Sequence, residues 1–146
     1  MAESPTALIV LVSLFLVLEA ANIAALYQAP GSRRFNAVGV FTAWEQSTAD
    51  RDLHDFVRYL VFWVAGTKVI FIGLWLVILV VGDPTTRLWA TIVMIPAIAT
   101  FYWRLFPLIR RLDAAGLVRP AGYSRVLGWM IAGMLAAFVL AVITAL

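Results

Sequence analysis

Four apolar runs, each about the length a helix needs to cross a hydrocarbon core, take up most of this chain. They are Thr6 to Tyr27, Val57 to Val81, Leu88 to Leu108 and Val126 to Leu146. At 1.5 Å per residue, about 20 helical residues cover a core of about 30 Å. Barrel strands are a poor alternative, because they alternate apolar and polar residues and are about half this length. The expected fold is an all-α membrane protein, a bundle of four transmembrane helices.

Composition agrees. The 146 residues are 64% hydrophobic and 13% charged, whereas soluble domains are about half apolar and a quarter charged. Little is left for a separate soluble domain, so one domain is expected. Cysteine is absent, which excludes thiolate metal sites and disulfide exchange, and the single histidine, His54, excludes a haem held by two histidines of this chain. There is no Walker loop, no HExxH and no Ser/His/Asp set. No metal or other cofactor is expected, and the leaning is away from an enzyme. The first run has small residues near its end, as a signal peptide does. It lacks a basic start, however, since Met1 to Thr6 contain Glu3 and no Lys or Arg, so a retained helix is expected.

The net charge of +3 follows the spans rather than any nucleic acid. The segments Gly31–Phe56 and Ile109–Arg125, with adjoining helix ends, carry Arg33, Arg34, Arg51, Arg58, Arg104, Arg110, Arg111, Arg119 and Arg125. The opposite side carries Arg87 alone. Arginine marks the cytoplasmic side, so both larger loops are expected inside and both termini outside. The skew of ten Arg to one Lys points to a prokaryotic genome and hence a bacterial cytoplasmic membrane. Tyr27, Tyr59, Tyr102 and Tyr123 each fall at the arginine-rich end of a different span, where amphipathic rings favour the headgroup layer.

Breaks between spans carry recognisable turn chemistry. Pro30-Gly31 ends the first helix, and Gly82-Asp83-Pro84 makes a turn short enough to set spans two and three side by side and antiparallel. The loop 31–56 begins with Arg33 and Arg34, followed by Phe35, Val38, Phe41 and Trp44 at a spacing of three, a pattern suited to the membrane interface. Its second half is polar, and Asp50 or Asp52 is expected to cap the helix of span two.

Two charges lie deep within the apolar runs, away from their ends. Glu19 lies eight residues from Tyr27 and Lys68 nine from Tyr59, so both sit about 12–14 Å from the same boundary. A charge at membrane depth costs about 2.5–3.5 kcal/mol on insertion scales, so such groups are paired or functional. Asn22 shares the face of Glu19, Thr67 adjoins Lys68, and Thr100 lies on span three at shallower depth. Together Glu19, Asn22, Thr67, Lys68 and Thr100 form the candidate intramembrane polar site. One expectation is a structural clasp that fixes which helix faces which. The other is a site for a proton, an ion or a small polar substrate, although carriers usually have more spans and more polar lining. A Schiff base of Lys68 with a retinal-like group is disfavoured, because four short spans enclose little room.

Span four carries Gly133, Ala137, Ala141 and Ala145 at every fourth position, a small-residue row that lets helices approach closely. The row packs either within the bundle or against another protein. On span three, Pro96 frees the carbonyl of Ile92 and is expected to kink the helix, and Pro107 follows. The function expected from these features is a small accessory or scaffold subunit packing against a larger membrane protein or its own copies, in contact with membrane lipids. A transporter or channel using the Glu19–Lys68 pair comes second. An interfacial lipid-modifying enzyme using Asp50, Asp52, His54 and Asp55 comes last.

Overall fold

The computed structural model describes residues 5–146. The acidic start at Glu3, on which the retained-helix expectation leans, lies outside them. Six α-helices follow in chain order: α1 (Pro5–Gln28), α2 (Thr42–Ser47), α3 (Arg51–Val81), α4 (Pro84–Ala99), α5 (Leu105–Ala114) and α6 (Tyr123–Ala145). With α4 and α5 taken as one broken span, four helices are long and apolar enough to cross a membrane. The described residues contain no strand, only an isolated bridge between Phe41 and Val118.

Helix α3 begins six residues before its apolar run, because Asp50 Oδ1 accepts the backbone N–H of Leu53 at 3.1 Å and fixes the start at Arg51. Its 31 residues are about 46 Å long. That is longer than a hydrocarbon core of about 30 Å, and its first turns are polar, with Arg51, Asp52, His54 and Asp55. At its other end Asp83 Oδ1 accepts from Thr86 N at 2.7 Å, and Pro84 occupies the first turn of α4, where no N–H is needed.

The tight turn joins α3 and α4 in antiparallel sense, yet the main packing lies elsewhere: α1 against α3 and α6, and α4 against α6. A two-residue link fixes only the helix ends. Further along, an apolar groove of about 810 Å³ separates the two helices, with Leu74 and Trp89 among its lining residues. The third span is also interrupted beyond its expected kink. Pro96 is accommodated inside α4, and the helix tightens to a 3-10 turn at Thr100–Tyr102 before α5 restarts. Pro107 explains the position of this break: continued as α-helix, its ring would clash with the carbonyl of Trp103. In the first turn of α5, after Arg104, that conflict disappears.

Apolar packing divides into three groups. Toward the chain termini, Leu8, Val12, Phe15, Leu16, Trp75, Met94, Phe138 and Ala141 form one core, with Phe15 edge-on to Phe71 and Phe138 at 6.0 and 5.7 Å. Toward the loops, Leu26, Ala37, Val61 and Ala65 form a second, and Val40, Ile109 and Val118 a third. The two loops are therefore folded onto the bundle and onto each other. Thr42 N donates to Leu117 O at 3.0 Å, and Arg119 N to Val40 O at 2.8 Å. Gly39 permits this fold, since a Cβ there would stand 1.9 Å from the carbonyl oxygen of Gly31.

Candidate functional site: a charged cluster tied to a folded loop

On α1 the buried residues Leu8, Val12, Phe15, Leu16, Ile23 and Leu26 share one side of the helix. At 100° per residue Glu19 falls in the middle of that side. By the same construction Lys68 shares the inner side of α3 with Val61, Ala65 and Trp75. Each helix thus directs its one charged mid-span side chain into the bundle. Lys68 Nζ donates to Glu19 Oε2 at 2.7 Å and to Asn22 Oδ1 at 2.6 Å. Charge-assisted bonds of this length are about twice as strong as neutral ones. Although they point inward, the two side chains stay partly accessible, 23% for Glu19 and 28% for Lys68, whereas Asn22 is only 6% exposed.

Asn22 carries the cluster onward. Its Nδ2 donates to the carbonyls of Phe35 and Asn36, the latter at 3.2 Å. Both loop residues hold left-handed backbone, with φ of 53° and 55°. Asparagine visits that region readily, whereas for phenylalanine it costs about 1–2 kcal/mol. The conformation turns two successive carbonyls toward a single amide. Asn36 Oδ1 then accepts from the Tyr123 hydroxyl at 2.6 Å. One continuous polar path runs from Glu19 on α1 through Lys68 on α3, Asn22 and the loop to Tyr123 on α6.

Three of the five candidate residues, Glu19, Asn22 and Lys68, meet in this way. Thr67 and Thr100 do not join them. Both are exposed, and their hydroxyls donate to carbonyls three residues back, Val64 at 2.8 Å and Ala97 at 2.6 Å. Asn36 and Tyr123 complete the path, and sequence reasoning placed neither in it. Tyr123 gave a signal only as an interfacial ring, and nothing in the order of residues marks Asn36. Asp113 was missed as well. It accepts from Gly122 N at 3.0 Å, Ser124 N at 2.9 Å and Ser124 Oγ at 2.6 Å, tying the end of α5 to the start of α6.

The polar groups near the start of α3 remain apart. Asp50 caps the helix, and Asp55 faces Arg58 at 3.6 Å. Ser47 is buried, and its hydroxyl donates to Trp44 O at 2.8 Å. Its Oγ lies 2.8 Å from His54 Nδ1, and the imidazole packs on the Trp44 ring at 4.8 Å. Ser47 is only 2% exposed, and with His54 and Trp44 it braces the start of α3. Among the described residues no group of three His, Cys, Asp or Glu converges for a metal ion.

The small-residue row of α6 turns across the helix. Ala141 is buried in the terminal core and Ala145 packs against it, Ala137 is half-buried, and Gly133 is exposed with open space where a side chain would stand. No family, no curated protein and no solved structure matches the chain.

Proposed function

We propose that the protein is a non-enzymatic membrane subunit, a small scaffold that packs against a larger membrane protein or its own copies. The observation that supports this most is how the polar groups in the bundle use their bonding capacity. Lys68 is held by Glu19 and Asn22, and Asn22 is held in turn by the loop, so the charges clasp the helices to one another. In this reading the arginine-rich loops face the cytoplasm and both termini lie outside, following the placement of Arg33 through Arg125. The apolar groove between α3 and α4 and the open flank of α6 at Gly133 supply surface for close helix approach.

A transporter or channel is the second reading. It is favoured by one observation: the Glu19 and Lys68 side chains face the bundle interior and yet keep about a quarter of their surface accessible. Purification in a mild detergent separates the two. The scaffold reading expects a stoichiometric larger membrane partner, or a defined oligomer that carries no ion flux when reconstituted. A protein that purifies alone and conducts protons or ions, with the conduction lost in Glu19→Gln, would replace it with the transporter reading.

A further inference from the structure

We infer that α5 and the helix break before it form a binding surface for an anionic phospholipid. The proposal rests on the chain being embedded in a bilayer and is independent of whether the protein is a scaffold or a transporter.

The surface is built by the break itself. Pro107 forces α4 to end and α5 to restart, leaving Trp103 and Arg104 in the link. Trp103 is 72% exposed, and Leu105 and Leu108 are exposed beside it. The opposite flank of α5 is used internally: Ile109 is buried with Val40 and Val118, and Phe106 and Leu112 pack against them. Trp103, Leu105 and Leu108 thus keep exposed apolar surface outside that cluster.

Three cations lie along this segment: Arg104 in the link beside Trp103, Arg111 on the side of α5 that carries Leu108, and Arg110 further round the helix over Phe106. The Arg104 guanidinium lies over the Trp103 ring at 5.2 Å, and that of Arg110 over the Phe106 ring at 5.8 Å. Neither these two nor Arg111 has a carboxylate within 4 Å among the described residues, where the ion pairs are Arg33–Glu45, Arg58–Asp55 and Lys68–Glu19. The one acid on α5, Asp113, is committed to Gly122 and Ser124. A ring beneath each of two guanidiniums holds it at an apolar surface while leaving its N–H groups free for an oxyanion.

This combination selects the ligand. Arginines without acids call for an anion, and guanidinium matches phosphate oxygens in bidentate geometry. The exposed Trp103, Leu105 and Leu108 call for something apolar at the same place. A phospholipid headgroup joined to acyl chains supplies both, whereas free phosphate supplies only the first. Each such arginine contributes about 1 kcal/mol toward an anionic membrane surface.

The full chain, purified in dodecyl maltoside, is titrated with phosphatidylglycerol or phosphatidylcholine, and bound lipid is counted by native mass spectrometry. Phosphatidylglycerol is expected to bind in preference. Combining Arg104→Gln, Arg110→Gln and Arg111→Gln should reduce that preference at least about tenfold. The control, Arg34→Gln with Arg51→Gln, should leave it within about twofold. Glycerophosphate, which carries the headgroup charge without chains, should not compete at equal concentration. If the triple variant fails to fold, Arg104→Gln and Arg110→Gln are measured singly, each with an expected loss of about fivefold. The inference is overturned by equal loss in the control, by no loss in the α5 variants, or by full competition from glycerophosphate. A chain that fails to partition into vesicles at all would instead defeat the membrane reading beneath it.

Discussion

Where α1 begins and α6 finishes, Phe15, Trp75, Met94 and Phe138 interlock from all four long helices, and the buried Thr91 hydroxyl is satisfied by Arg87 O of its own helix at 2.9 Å. At the loop end the helices are linked differently. Glu19, Lys68, Asn22, two strained loop carbonyls and Tyr123 join α1, α3 and α6 through directional bonds, and small apolar clusters fill the space around them. In a lipid setting apolar contact alone favours no particular helix partner, because the tails are as apolar as leucine. Close packing at the terminal end supplies density, and the polar path at the loop end supplies the choice of which face meets which. A loop anchored to that path also ties the arginine-rich end of the bundle to the charges inside.

This contrast can be broken at either end. The largest loss is expected at the terminal core. Phe138 is fully buried against Phe15, so Phe138→Ala should cost about 3–5 kcal/mol in a denaturing-detergent titration. The unfolding should be global, with all four long helices lost together. A change under about 1 kcal/mol would mean that this core is not a unit.

At the loop end the loss should be smaller and local. Asn22→Leu removes an acceptor from Lys68 and the donor to Phe35 and Asn36, with an expected cost of about 1–3 kcal/mol. Amide exchange should rise at Ala37 and Gly39, whose N–H groups close the loop onto Arg34, Pro30 and Ser32. Exchange at Phe138 should not change. A smaller effect again is expected from Asp113→Ala, confined to faster exchange in the first turn of α6 around Ser124 and Arg125.

The smallest effect concerns pH at the opposite turn. The backbone N–H of Thr86, then its hydroxyl, hold the Asp83 carboxyl below its ordinary value, helped by the N–H of Thr85 and the charge of Arg87. The cap is therefore complete above the ordinary carboxylate range and is lost as pH falls through the lowered value. Exchange at Thr86 should accelerate as pH falls below the ordinary carboxylate range and through that lowered value. Asp83→Asn, which keeps a capping oxygen, should remove that pH dependence.

The helices were legible because their signals are local. Continuous apolar length marks four spans, and Asp50, one of two capping candidates beside Asp52, caps the helix of span two. Glu19 and Lys68 could be set at one depth by counting residues from Tyr27 and Tyr59, since helical rise converts sequence directly into distance. Three features were not legible. The break at Trp103 depends on how Pro96 and Pro107 divide one span, and propriety of either as a kink is decided by neighbours rather than by proline itself. The docking of 35–36 depends on backbone carbonyls and left-handed φ, which no side-chain pattern records. The bridge of Phe41 to Val118 and the reach of Asp113 to Ser124 link loops whose ends are set by the tertiary fold. Thr67 and Thr100 show the converse error. Thr67 adjoins Lys68 in sequence and Thr100 lies at shallower depth by residue count, but both hydroxyls bond within their own helices, as threonine in a helix readily does.

The central claim is that Glu19 and Lys68 act as one structural clasp, and a double-mutant cycle tests it directly. Unfolding free energies are measured in denaturing detergent for Glu19→Gln, Lys68→Met and the combined change. Removing either partner leaves the other charge unpaired at membrane depth, so each single change should cost about 3 kcal/mol. The double change removes both charges and should recover more than half of the summed loss. Single variants that fold as stably as the wild type, or single losses that simply add in the double variant, would contradict the clasp.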